Sequence, residues 1–110
     1  MAFSDNLKQL PGVSHLAALQ LIDPVEGRIV ATIENKPGQT GSLAVYNHLA
    51  QLYGAINAEA AKKGLELYAE YAIEARASPG KHPHIDRLLK LVDTPRQLLR
   101  VKHVFATGVE

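Results

Sequence analysis

Five residues, Asp23-Pro24-Val25-Glu26-Gly27, limit the fold of this chain more than any other stretch. Proline presets φ for the second position of a turn, and glycine accepts the positive φ that closes one. Segments on both sides suit strands. In residues 28–34, Ile29, Ala31 and Ile33 fall on one side, with Arg28, Val30, Thr32 and Glu34 on the other. Ser14 to Ile22 is rich in Leu, Ala and Ile and apolar on both faces, which fits a strand better than a surface helix. The pattern predicts a β-hairpin. At 110 residues the chain has room for one domain, 1–110, that removes enough surface from water to need neither disulfide nor structural metal.

The rest of the chain supplies what the hairpin packs against. Ser4 suits the cap of a short helical turn that Pro11-Gly12 ends. Asn35 to Gly41 reads as a loop, followed by Ser42 as the N-cap of a helix. Leu43, Tyr46, Leu49, Tyr53, Ile56 and Ala60 recur at helical spacing, and Lys62-Lys63 before Gly64 reads as the end, so 42–63 is expected to be the longest helix. Residues 65–75 fit two periods. As a strand they alternate Leu65, Leu67, Ala69, Tyr71, Ile73 against Glu66, Tyr68, Glu70, Glu74; as a helix they stack Glu66, Glu70 and Glu74 in one stripe. The like charges and the stop at Gly64 favour the strand. Ser78 to Pro83 is a loop, Ile85 to Val92 a short helix with Leu88, Leu89 and Val92 inward, and Leu98 to Phe105 a final strand. The order β-β-α-β-α-β implies an α+β fold: one mainly antiparallel sheet with helices on one face. Such a sheet keeps a face or edge for a second copy, so a homodimer is expected.

Several function classes drop out. Without cysteine there is no thiol nucleophile, zinc ribbon or Cys-ligated cluster. No apolar run is long enough for a membrane span, and Met-Ala-Phe-Ser-Asp is not a secretory leader, so a cytoplasmic protein without membrane contact is expected. The net charge of +1 is unevenly spread: residues 1–75 carry net −3 and residues 76–110 net +4. The basic third holds a single aromatic, Phe105, too few for base stacking, and nucleic acid is not an expected partner.

Two segments could carry chemistry. Lys36, Gly38, Gly41 and Ser42 lie in a glycine-containing loop just before a helix, where backbone N–H groups attract anions. The spacing departs from a P-loop, since no lysine precedes Ser42. Lys81, His82, His84 and Asp86 form the densest cluster. On an extended backbone two imidazoles and a carboxylate at alternate positions would suit a divalent ion, but Arg87 stands where a His-x-His-x-Asp-His zinc motif needs its last histidine. If a helix starts near His84, Asp86 serves its first turn instead. No metal and no cofactor is therefore expected. His15, His48 and His103 are isolated, and no nucleophile elbow is present.

Asn35-Lys36-Pro37-Gly38 with Gly41-Ser42-Leu43, Gly64-Leu65, and Pro79-Gly80-Lys81-His82-Pro83 with Ile85-Asp86-Arg87-Leu88 resemble a group of short bacterial proteins known as domain of unknown function 2322. The resemblance spans nearly the whole chain and implies a stand-alone bacterial, cytoplasmic protein. It carries over no activity, cofactor or catalytic residue. The expected function is thus a non-enzymatic ligand- or partner-binding domain, with Lys36, Gly38, Gly41, Ser42, Lys81, His82 and His84 around a small anionic ligand. The alternative is a small enzyme that acts on an anionic substrate through the Lys81 to Asp86 segment. The two Pro-Gly loops are expected to share one site.

Overall fold

A computed structural model describes residues 2–107. Strands β1 (Leu16–Ile22) and β2 (Ile29–Glu34) form the expected antiparallel hairpin, with Leu19 opposite Ile33 and Leu21 opposite Ala31. Its turn closes as the residue types require: Asp23 N–H donates to the Arg28 carbonyl at 2.8 Å, and the Asp23 carboxylate accepts from Val25 N–H at 2.9 Å. β3 (Arg100–Phe105) pairs antiparallel with the other side of β1, which gives the order β2-β1-β3. Leu19, Leu21 and Ile33 are fully buried on the inner face. Gln20, Thr32 and Lys102 lie side by side on the outer face.

Among the described residues five helices, α1 (Phe3–Leu7), α2 (Thr40–Tyr53), α3 (Ala58–Tyr68), α4 (Glu70–Ala77) and α5 (Pro83–Val92), complete the α+β fold. The core joins Leu43, Tyr46 and Leu49 of α2 to Leu88 of α5 and to the inner sheet face. Buried Asn47 on α2 accepts from His103 Nε2 at 3.0 Å and so ties the helices to β3. Among the described residues no helix is long and apolar enough to cross a membrane.

Residues 65–75 are helical, which corrects the strand expectation. Two outcomes decide against the period of two: Ile73, inward in a strand, is 68 % exposed, whereas Ala61, Leu65, Tyr68, Ala72 and Ala75 make one buried helical stripe. The charges that argued against a helix sit mostly in water, where repulsion between like side chains costs only tenths of a kcal/mol. Gly64 is no stop. It lies inside α3, where a Cβ would come 2.7 Å from Leu88 and 2.9 Å from Leu49, so its lack of a side chain lets three helices close up. The actual break in the 42–63 stretch is earlier. Gly54 takes the left-handed conformation at φ 77°, Ile56 bridges to Leu99, and Asn57 caps α3 by accepting from Ala60 N–H at 2.8 Å.

Smaller corrections follow the same physics. α1 starts at Phe3 without a side-chain cap, so Ser4 is inside it. α2 starts at Thr40, which places Ser42 in the first turn and not at the N-cap. α5 starts at Pro83, where a proline fits because the first helical N–H has no partner to lose. Its deeply buried face is Ile85, Leu88 and Leu91, with Leu89 and Val92 only partly covered.

Candidate functional site

The helical reading of 65–77 brings both Pro-Gly loops to one place. Gly38 and Gly80, at φ 90° and 93°, let each chain reverse just before α2 and α5 respectively. Between them lies a cavity of about 480 Å³. Gly38, Gly41 and Ser42 line one side, and Lys81, His82 and His84 line the other. Lys36 does not line it: its ammonium pairs with Glu34 at 2.8 Å on the surface.

Sequence reasoning missed the cavity's apolar wall. Phe3 and Leu7 of α1 lie against the start of α2, where Gly41 leaves room; a Cβ there would meet the Phe3 ring at 3.4 Å. Phe3 stacks on Tyr68 at 5.1 Å and meets Tyr71 edge-on at 5.4 Å. Its backbone N–H donates to Glu70 at 2.9 Å, which fastens α1 to α4. The signal was available in the aromatic content of 65–75, but it needed the helical period to place Tyr68 and Tyr71 on the cavity side. Glu74 was also missed as a partner. Its carboxylate accepts from Lys81 Nζ at 3.2 Å and meets His82 Nε2 at 2.5 Å, so both residues of the second loop share one counterion. These bonds, His82 first, hold the Glu74 carboxyl below the usual range.

Helix ends set the field. The first-turn N–H groups of Gly41, Ser42 and His84 have no hydrogen-bond partner among the described residues, while their neighbours bond back to Lys36, Gln39 and His82. Two positive helix ends therefore meet at the cavity. One negative end partly offsets them, since α3 finishes at Tyr68. Tyr68 is held as a neutral phenol: burial raises its pKa far above the ordinary value, and its OH donates to Ser42 Oγ at 2.6 Å.

His84 is neutral for a different reason. Burial first, and the Arg87 guanidinium second, push its pKa down to about 4. Arg87 Nη1 reaches His84 Nδ1 at 3.0 Å, so that nitrogen accepts and the proton resides on Nε2. Arg87 also donates to the Tyr46 hydroxyl at 3.2 Å, and Tyr46 donates to the His84 carbonyl at 2.5 Å. Burial pushes Tyr46 up to about 12. This network fixes the start of α5 without placing a net charge on the imidazole.

The alternating His82, His84, Asp86 set does not converge. His82 turns to Glu74, His84 to Arg87, and the Asp86 carboxylate accepts from Gly80 N–H at 2.8 Å, closing the loop onto the first turn of α5. No group of three or more His, Asp or Glu among the described residues is arranged to hold a metal ion.

Fold and cavity define a class: a helix-backed, three-stranded α+β domain with one recess at paired helix N-termini. The chain belongs to the bacterial family described as uncharacterized protein conserved in bacteria (DUF2322), whose sequence profile matches residues 3–102. No curated protein and no solved structure matches the chain.

Proposed function

We propose that this is a non-enzymatic binding domain for a small ligand with an anionic head and an apolar body. The observation that carries the reading is the convergence of two helix N-termini, with three N–H groups unpartnered among the described residues, on a cavity walled by Phe3, Leu7 and Tyr71. A carboxylate or phosphate is favoured by such ends by about 0.3–1 kcal/mol each before any side chain acts. Lys81 adds a mobile cation at the rim, and His84 a neutral Nε2–H donor. In the free protein Glu74 neutralises Lys81, so an incoming anion competes with Glu74 for it.

Citrate and inorganic phosphate are suitable probes. Titration followed by amide NMR is expected to shift Gly41, Ser42 and His84, with Lys81→Met weakening binding several-fold and Glu74→Gln tightening it. Unmoved resonances in both loops would sink the reading. One feature favours the enzyme alternative: Glu74 and His82 form the carboxylate–imidazole pair that a general base requires. Under that reading Glu74→Gln abolishes turnover of an anionic substrate instead of improving its binding.

Self-association in a bacterial cytoplasmic setting is part of the same proposal. Ile29 on the edge strand and Phe105 on β3 are exposed apolar side chains that a second copy would cover.

A further inference from the structure

The ends of α2 and α5 that lie away from the first cavity border a second and larger recess of about 940 Å³. It is built from four distant parts of the chain: the β1–β2 turn, the α2–α3 connection, the last turn of α5, and the segment before β3. Arg28, Lys90, Arg96 and Arg100 line it, against a single carboxylate among the described residues, Asp23, whose Oδ1 is occupied by Val25 N–H. Lys90, Arg96 and Arg100 make no ion pair among the described residues. Arg28 has only an exposed contact to Glu26 at 3.4 Å, a kind of pair that holds a charge loosely.

Helix ends explain part of this charge: α2 also finishes at the recess, at Gly54, with no basic residue in its own last turn, and draws on the cations around it. Lys90 lies in the last turn of α5, where a cation offsets the helix dipole. Arg100 is on β3, Arg28 begins the approach to β2, and Arg96 is in a connection, so none of these serves its own helix end. Between the cations stand apolar side chains left in water: Val25 at 90 % exposure, Val30 at 45 % and Leu98 at 37 %. Among the described residues no aromatic side chain lines the recess. That combination lacks the stacking platform that single-stranded nucleic acid uses. It matches an extended peptide that presents carboxylates and short apolar side chains together.

We propose that this recess is a docking site for an acidic, apolar-interspersed peptide segment of a partner protein. It is separate from the anion cavity and does not depend on that reading. Lys90, Arg96 and Arg100 meet the carboxylates, and Val25 and Leu98 meet the apolar side chains between them.

The probe is a fluorescein-labelled peptide of Glu-Val-Glu-Ser repeats, titrated by anisotropy at low salt against the full chain. Binding is expected to weaken by at least about tenfold in a Lys90→Gln, Arg96→Gln, Arg100→Gln variant and to fall with added salt. A charge-matched control, Lys8→Gln, Lys62→Gln, Arg76→Gln, is expected to bind like the parent protein. Val25→Ser with Leu98→Ser removes no charge, and a several-fold loss there separates docking from plain attraction. No binding at low salt, equal loss in the control, no effect of the uncharged pair, or tighter binding of a single-stranded RNA of matched charge would each overturn the proposal.

Discussion

His84 shows how one side chain makes the fold sensitive to acid. An imidazole free in the unfolded chain titrates near 6.5, but in the fold its pKa is pushed down to about 4 by burial and by Arg87. Between those values the unfolded state binds a proton that the folded state refuses. Stability is therefore full above about pH 6.5 and declines as the pH falls towards 4. Glu74 acts in the same direction, because its lowered carboxyl stabilises the fold until acid protonates it. Denaturant melts from pH 7 to pH 4 should show the His84 decline and His84→Gln should flatten it, while the Glu74 loss, which sets in only below the ordinary carboxylate range, should persist in the variant when the melts are carried to lower pH. Two backbone positions make opposite predictions. Ala69, between α3 and α4, takes φ 53° and ψ −117°, a conformation that strains any residue with a Cβ. Ala69→Gly is expected to stabilise by up to about 1 kcal/mol, although glycine loses more chain entropy. Gly64→Ala gains helix propensity of about 1 kcal/mol but pushes its methyl into Leu49 and Leu88. Overpacking in a filled core costs about 1–3 kcal/mol, so a net loss of about 1 kcal/mol is expected in thermal melts.

At the scale of elements, the hairpin was legible because its information is local: a proline-glycine turn with alternation beside it. Helix α5 was legible too, although the expectation took Pro83 for the end of the loop when it is the first residue of the helix. The stretch 65–75 was not, because its apolar residues fit the strand period at Leu65, Leu67 and Ile73 and the helical period at Leu65, Tyr68, Ala72 and Ala75, and only packing in the core selects the helix. Gly64 misled for the same reason. A glycine that ends a helix and a glycine that admits a neighbouring helix look alike in one dimension. The loops of the candidate site could be picked out, since glycine before a helix has a stated meaning, but Lys36 could not be told from Lys81. Their difference arises from pairing partners: Glu34, two residues away on a strand, holds Lys36 outside, while Glu74 holds Lys81 at the rim. Phe3 and Leu7 join the site only because α1 folds back over α3, through Asn6 donating to the Leu67 carbonyl at 2.9 Å. Phe3→Ala is expected to loosen α1, removing the stack on Tyr68 and the cavity wall together, at a cost of about 1–3 kcal/mol for a partly buried ring. Increased amide exchange over residues 3–10 would check it.

Across the whole molecule, α2 and α5 both start at the first cavity and both end at the basic recess. The two recesses thus face different chemistry at opposite ends of one helical layer. The charge asymmetry seen in the sequence, net −3 before residue 76 and net +4 after it, becomes in three dimensions a cluster of arginines drawn from several segments. On the reading of Ile29 and Phe105 as a self-association surface, Ile29→Lys should shift the protein to monomer in sedimentation velocity while leaving its circular dichroism unchanged. The central place of β1 has a kinetic side. Its first neighbour, β2, follows a few residues later, but its second, β3, is among the last described residues of the chain. During synthesis the hairpin and all five helices can emerge before β3 exists, leaving one edge of β1 bare and Asn47 without His103. Contacts so far apart in sequence close late and slowly. A nascent chain halted before residue 100 should remain open to protease, and release of the final strand should convert it to the resistant form in a single step.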